Sequence, residues 1–120
     1  MSVTTVYTLK NCDSCRAAVK WLKARGLVFE ERPIRETPPT RAELRAMLAA
    51  FGGDRRRIFN ASGRDYRELK LAETLPAMND DQVLQLLAGN GNLVKRPFLL
   101  GPGLALTGFD ETVWAAAFGH

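Results

Sequence analysis

The sequence is poor in the residues on which metal sites and disulfide-rich folds depend. Its 120 residues include two cysteines, Cys12 and Cys15, and one histidine, His120. A structural zinc site usually takes four Cys or His ligands, so we expect no metal site. A disulfide between cysteines three positions apart would close a very short loop, and cross-links stabilise more when the loop is long. The pair therefore points to redox chemistry rather than to a structural role.

Other features are missing as well. No apolar run approaches the roughly 18 residues of a membrane span, and no glycine-rich phosphate loop or dinucleotide fingerprint is present. The first residues lack the basic and then apolar order of a secretory signal. We therefore expect a cytoplasmic protein with no bound cofactor and no membrane contact. The net charge of +4 is too small to indicate nucleic-acid binding by itself.

Composition and pattern favour one globular α/β domain over residues 1–120. Hydrophobic residues make up 46% and charged residues 25%, which are ordinary globular values. Residues 3–9 and 27–34 are β-rich, and Pro33 places the second run at an edge or bend. Between them, residues 13–25 repeat apolar side chains at helical spacing. Strand, helix and strand in about 32 residues form a right-handed βαβ unit.

The rest of the chain predicts a helical insertion followed by a hairpin. A capping box at Thr40 and Glu43 begins a helix that ends at Gly52-Gly53. Short helices are expected at 55–59 and around 64–71, and a longer one from Asn79 to Gly89. Residues 98–107 are typical of a β-hairpin, and Asp110 caps a final helix. The order is β-α-β, several helices over about residues 40–90, then β-β-α, which predicts a mixed sheet.

Cys12 falls where the first strand gives way to the first helix. Free backbone amides and the helix dipole at an N-cap favour the thiolate over the thiol, which lowers a cysteine pKa. Lys10 and Arg16 are expected to add to this effect, whereas Asp13 opposes it. Cys15 lies one turn further on the same face, where it is able to resolve a mixed disulfide formed at Cys12. Alternatively, Cys15 is a plain core residue.

Four collinear segments resemble the arsenate reductase (ArsC)/Spx family. They are YTLKNCDSCRAA at residues 7–18, NASGRDYREL at 60–69, KRPFLL at 95–100 and LTGF at 106–109. The last is most similar to the YffB branch, whose members are described as glutathione-dependent thiol reductases. The resemblance implies a thioredoxin-like fold with a helical insertion.

The resemblance also implies roles for individual residues. Cys12 takes the place of the nucleophilic cysteine, and Pro97 that of the cis-proline. Arg96 precedes that proline and would hold an anion such as a glutathione carboxylate or an oxyanion. Lys10, Asn11 and Asn60 are further candidates for binding substrate or glutathione. The alternatives are an exposed charge at Arg96, a trans bond at Pro97 and a turn residue at Asn60.

Arsenate reductases of this family hold arsenate with three arginines, and the resemblance supplies one of them. Asn60 occupies the middle-motif position, and residues 104–107 contain no arginine. Nothing in the spacing brings Arg57 or Arg64 to the site. Because each lost charged hydrogen bond costs about 1.5–3 kcal/mol, we expect weak or absent arsenate reduction.

Three functions remain open at this stage. The first is a thiol–disulfide reductase, with glutathione as co-substrate and either glutathione or a glutaredoxin as electron source. The second is an Spx-like, redox-switched regulator that binds RNA polymerase. Gly52-Gly53 lies near the glycine that the family uses for that contact, and the alternative is that this pair is simply a helix cap. The third is nucleic-acid binding through a patch of Arg55–Arg57 with Arg64 and Arg67. Charge runs of this kind are usually solvated helix faces.

Overall fold

The computed structural model describes residues 3–119 and contains a mixed four-stranded sheet in the order β2-β1-β3-β4. β1 pairs in parallel with β2 and antiparallel with β3, and β3 pairs antiparallel with β4. The expected βαβ unit and terminal hairpin are both confirmed. The strands are β1 (Thr5–Thr8), β2 (Glu30–Pro33), β3 (Phe98–Gly101) and β4 (Leu104–Thr107), and α1 (Asp13–Ala24) joins the first two.

Helices fill the connection between β2 and β3, as the pattern predicts. They are α2 (Arg41–Ala50), α3 (Arg64–Glu68), α4 (Leu71–Thr74) and α5 (Asp80–Ala88), with 3-10 segments at Arg55–Ile58, Leu75–Ala77 and Gly91–Leu93. A last helix, α6 (Glu111–Ala117), follows β4. None of the helices in the described residues is both long and apolar enough to cross a membrane.

Polar side chains set the helix boundaries where the sequence places them. Thr40 and Glu43 form a reciprocal capping box at the start of α2. At the other end, Gly52 and Gly53 adopt φ of +65° and +85°, and their N–H groups donate to the carbonyls of Ala49 and Leu48. Only glycine adopts such angles without strain, so this pair forms the helix cap that the sequence predicts.

Alternation along β1 divides the interior into two apolar clusters on opposite faces of the sheet. Val6 faces α1 and α6 and packs with Leu22 and Trp114. Tyr7 faces the helical insertion and packs with Leu44 and Phe98. Because successive strand side chains point to opposite faces, a short strand contributes to both clusters.

Two boundaries differ from the sequence-based predictions. The first two strands are shorter than the predicted runs and cover four residues each. Val3, before β1, is 54% exposed. Leu27 and Phe29, before β2, pack on the α1 side without joining the ladder. The helix expected around 64–71 is two short helices, because Lys70 interrupts it with φ of +55°.

Candidate functional site

Cys12 lies at the point where β1 has ended and α1 begins. It is the N-cap residue, with φ of −113° and ψ of 114°, and its side chain accepts from the first turn of the helix. The Sγ atom lies 3.2 Å from the backbone nitrogen of Cys15 and 3.3 Å from the Oγ of Ser14. The residue as a whole is half-buried.

This setting lowers the pKa of Cys12. Burial alone raises it, but hydrogen bonds from the Cys15 thiol, the Ser14 hydroxyl and the Cys15 backbone N–H favour the thiolate, and the positive charge of Arg96 adds to them. The net pKa lies below the ordinary cysteine value. Hydrogen bonds at a helix N-terminus are the usual means of stabilising a reactive thiolate.

Cys15 occupies the opposite kind of environment. It is 2% exposed, and its Sγ accepts from the backbone N–H of Leu9 at 3.5 Å. Burial, followed by the hydrogen bond to Cys12, raises the pKa of Cys15 to about 12. At neutral pH Cys15 is therefore a thiol that donates to the Cys12 thiolate. It also occupies the core position that the sequence offered as an alternative.

Arg96 and Pro97 belong to the turn before β3, and the positive charge of Arg96 acts on both cysteines. The peptide bond between them is cis. The Nη1 atom of Arg96 donates to the carbonyls of Gly91, Asn92 and Val94 at 3.2–3.4 Å. Burial lowers the pKa of Arg96, whereas the charge of Cys12 raises it. Arg96 is thus a half-buried cation fixed by backbone carbonyls, not an exposed strand-end charge.

A cavity of about 330 Å³ adjoins Arg96, and we call it the arginine cavity. Arg35, Arg64 and Arg96 bring three guanidinium groups to it, together with Asn60 and Asp65. The spacing of the sequence did not indicate that Arg64 lies near Arg96, and the structure places both in the lining of this cavity. Arg57 does lie elsewhere, with its guanidinium 4.1 Å from the centre of the Phe51 ring.

Amide side chains hold the cavity wall together. Asp65 accepts from Asn90 and Asn92 at 3.1 and 3.3 Å, and these bonds lower its pKa. Arg35 donates through Nε to the Oδ1 of Asn92 at 2.7 Å. Asn60 donates to the Asn92 carbonyl at 3.4 Å, and its own carbonyl accepts from the N–H of Gly63, so it is both a turn residue and a lining residue.

The remaining sequence candidates fall outside this cavity. Lys10 lines a separate groove along α1, and Asn11 is exposed and lines neither space. Arg16 pairs with Asp13 and donates to the carbonyl of Lys10. The cation that lowers the pKa of Cys12 is Arg96. His120 lies outside the described residues.

Comparison with known proteins decides the family. The sequence model of the ArsC family matches residues 7–117. This chain belongs to the ArsC family. Its sheet and helices form the thioredoxin-like α/β fold of that family, and an ArsC-family-related protein from Bacteroides fragilis has a similar structure, with a TM-score of 0.87, 36% identity and coverage of 95% of this chain and 96% of that one.

Relatives of this chain carry different names. The chain is 42% identical to the protein YusI of Bacillus subtilis, over 89% of this chain and 91% of that protein. It is 30% identical to the global transcriptional regulator Spx of Enterococcus faecalis, over 89% and 80%. It is also 30% identical to an arsenate reductase of Rhizobium meliloti, over 82% and 69%. The chain is thus an ArsC-family, thiol-oxidoreductase-like protein.

Arg35 is the lining arginine that sequence reasoning missed. It comes two residues after β2 ends, and carboxyl ends of parallel strands are where α/β sheets bind ligands. No motif includes Arg35, so its position after the end of β2 was the available signal in the sequence. Arg64 was visible within the middle motif, but its approach to Arg96 depends on how the insertion folds.

Proposed function

We propose that this protein is a glutathione-dependent thiol–disulfide reductase in which Cys12 is the nucleophile. The observation that carries the proposal is the half-buried Cys12 sulfur at a helix N-cap, with a lowered pKa. The thiolate is the reactive form of cysteine, so this residue is suited to attack a disulfide near neutral pH.

The reaction proceeds by two exchanges. The Cys12 thiolate attacks the glutathione sulfur of a mixed disulfide, the S–S bond breaks, and the second thiol leaves and takes a proton. The thiolate of another glutathione then attacks the glutathione sulfur held on Cys12, which releases oxidised glutathione and restores the Cys12 thiolate. One mixed disulfide and one glutathione are thereby converted to one thiol and one oxidised glutathione.

Cys15 offers a second route for the resolving step. Its sulfur is in hydrogen-bonding reach of Cys12 and is shielded from solvent, so it is able to attack only a disulfide already formed at Cys12. That attack expels glutathione and leaves a Cys12–Cys15 disulfide, which two further glutathione molecules reduce. The raised pKa of Cys15 disfavours its thiolate and so favours the direct glutathione route.

The charges of the arginine cavity suit glutathione. Glutathione carries two carboxylates and one ammonium group, and the cavity supplies three guanidinium groups and the Asp65 carboxylate. Guanidinium groups bind carboxylates through paired hydrogen bonds. Asn60 adds an amide that is able both to donate to and to accept from a peptide bond. Lys10 and Asn11 do not line this cavity, and their part in binding glutathione stays a prediction.

Turnover of a small substrate tests the proposal. The mixed disulfide of glutathione and 2-mercaptoethanol is reduced with glutathione by the wild type and by Cys12→Ser. We expect turnover in the wild type and only the uncatalysed rate in the variant. Equal rates in the two proteins would overturn the proposal.

Arsenate is less well suited to the cavity, although the arginine count is higher than the sequence suggested. The Nη1 of Arg96 is already shared among backbone carbonyls, and Arg64 is 76% exposed and lies 3.8 Å from Asp65. A carboxylate within the lining also repels an oxyanion. We therefore still expect weak arsenate reduction, and robust turnover with glutathione and glutaredoxin would contradict this.

A redox-switched regulator that binds RNA polymerase is the second candidate. The likeness to the Enterococcus faecalis regulator favours it, whereas Gly52-Gly53, which forms the cap of α2, adds no support. A pull-down of RNA polymerase with oxidised and with reduced protein separates the two functions. Redox-dependent capture together with no turnover of mixed disulfides would favour the regulator.

A further inference from the structure

A second and larger depression runs along α1, away from the arginine cavity. We call it the α1 groove. Its volume is about 720 Å³, within the range typical of ligand sites. The floor is apolar and includes Leu9, Cys15 and Val19, and the outer wall includes Glu31 of β2. The reaction proposed above makes no use of this space.

The rim of the α1 groove is strongly basic. Lys10, Arg16, Lys20 and Lys23 line it, against the single carboxylate of Glu31. Arg16 is paired with Asp13, whereas the three lysines form no ion pair with any carboxylate of residues 3–119. An apolar floor under unpaired cations is complementary to a ligand that is both apolar and acidic.

The groove adjoins the redox pair through Cys15, which is one of its lining residues. The buried sulfur of Cys15 is part of its floor, and Lys10 precedes Cys12 by two residues. From there it follows α1 as far as Ala24, nine residues on, which is about 13 Å at the rise of an α-helix. An extended chain covers that length with about four residues. A peptide joined to a cysteine under attack at Cys12 would therefore have its next few residues over the groove.

We propose that the α1 groove docks an acidic, partly apolar peptide segment next to the disulfide of a protein substrate. This inference rests on the proposed reductase function and adds a substrate class to it: mixed disulfides between glutathione and an acidic protein. Lys20 and Lys23 act as specificity residues that recognise the segment, while the chemistry stays at Cys12.

Peptide binding tests the docking step without the chemistry. The probes are two fluorescein-labelled ten-residue peptides, one of leucine and glutamate and one of leucine and lysine in the same order. They are titrated into the Cys12→Ser protein, and fluorescence anisotropy is read. We expect only the acidic peptide to bind. The double substitution Lys20→Glu, Lys23→Glu should weaken its binding by about tenfold, and by more at low salt than at high salt.

The matched control is Arg41→Glu with Arg45→Glu. It changes the net charge equally, and it lies on α2, whose buried residues pack on the opposite face of the sheet. We expect this pair to bind the acidic peptide like the parent. Equal weakening by both pairs, or equal binding of both peptides, would mean that only overall charge attracts the peptide. Binding of decanoate in the groove without binding of the peptide would mean a small amphipathic carboxylate is the ligand. Each of these results overturns the proposal.

Kinetics separate a failure of docking from a failure of the reductase. Glutathione mixed disulfides of 2-mercaptoethanol and of a cysteine-containing acidic peptide are compared as substrates. We expect a kcat/KM about tenfold higher for the peptide, lost in the Lys20→Glu, Lys23→Glu protein, which retains full activity on the small substrate. Wild-type activity on the small substrate without any preference for the peptide rejects the docking proposal alone. Inactivity on both substrates rejects the reductase, and the docking proposal with it.

Discussion

The backbone of Gly91 lies directly against the carbonyl of Ile34. A Cβ atom at Gly91 would come within 1.9 Å of the Ile34 oxygen and 3.1 Å of the Arg35 Cα. This contact joins the end of β2 to the 3-10 segment before β3. It also connects two arginines of the cavity, because Arg35 follows Ile34 and the Gly91 carbonyl accepts from Arg96.

Replacing Gly91 is therefore expected to harm both stability and the cavity. Gly91→Ala forces the two backbone segments apart, at a cost of about 1–3 kcal/mol in the free energy of unfolding. Urea denaturation measures this change, and the KM for glutathione is expected to rise with it. The control is Gly89→Ala, since a Cβ there meets nothing closer than 3.4 Å. If Gly91→Ala matched the control in stability, the close approach would be refuted.

Removing the buried thiol tests how Cys12 is activated. Cys15→Ala deletes a donor to the Cys12 sulfur, so the pKa of Cys12 is expected to rise and its rate of alkylation at neutral pH to fall. Cys15→Ser keeps a donor at the same place and should lie closer to the wild type. The rate of alkylation by iodoacetamide, measured across pH, gives both the pKa of Cys12 and its reactivity at neutral pH. A pKa of Cys12 that is unmoved by Cys15→Ala would show that the backbone N–H and Ser14 suffice.

Arg35 and Arg64, which line the arginine cavity with Arg96, should affect binding more than chemistry. Arg35→Gln is expected to raise the KM for glutathione about tenfold, and Arg64→Gln about threefold because exposed charges contribute less. The kcat and the pH profile of Cys12 alkylation should change little. Arg45→Gln is the control, since Arg45 does not line the cavity and pairs with Asp81 instead. Changes in kcat with a constant KM would contradict binding of glutathione at these positions.

Local patterns predicted most of the fold and the position of Cys12, the proposed nucleophile. Thr40 with Glu43, Asn79 and Asp110 mark helix starts through hydrogen bonds within a few residues, so they are legible in the sequence. Cys12 could be placed at an N-cap because a strand pattern ends and a helical pattern begins around it. The resemblance to a family then supplied Arg96 and Pro97.

The arginine cavity could not be predicted in the same way. Arg35, Arg64 and Arg96 belong to the end of β2, to α3 and to the turn before β3. They meet because Asp65 bonds to Asn90 and Asn92 across the insertion. Such contacts between distant segments leave no periodic signal. The α1 groove was equally hidden, since its basic residues look like an ordinary exposed helix face in the sequence.

Titration of Cys12 by alkylation, with and without glutathione, tests the central claim most directly. Because the folded protein lowers the pKa of Cys12, its alkylation rate at neutral pH should exceed that of the unfolded chain. The rate should fall only when the pH drops below that lowered pKa. Glutathione should protect Cys12, and Arg96→Gln should weaken that protection. An alkylation profile like that of the unfolded chain, indifferent to glutathione, would contradict the account.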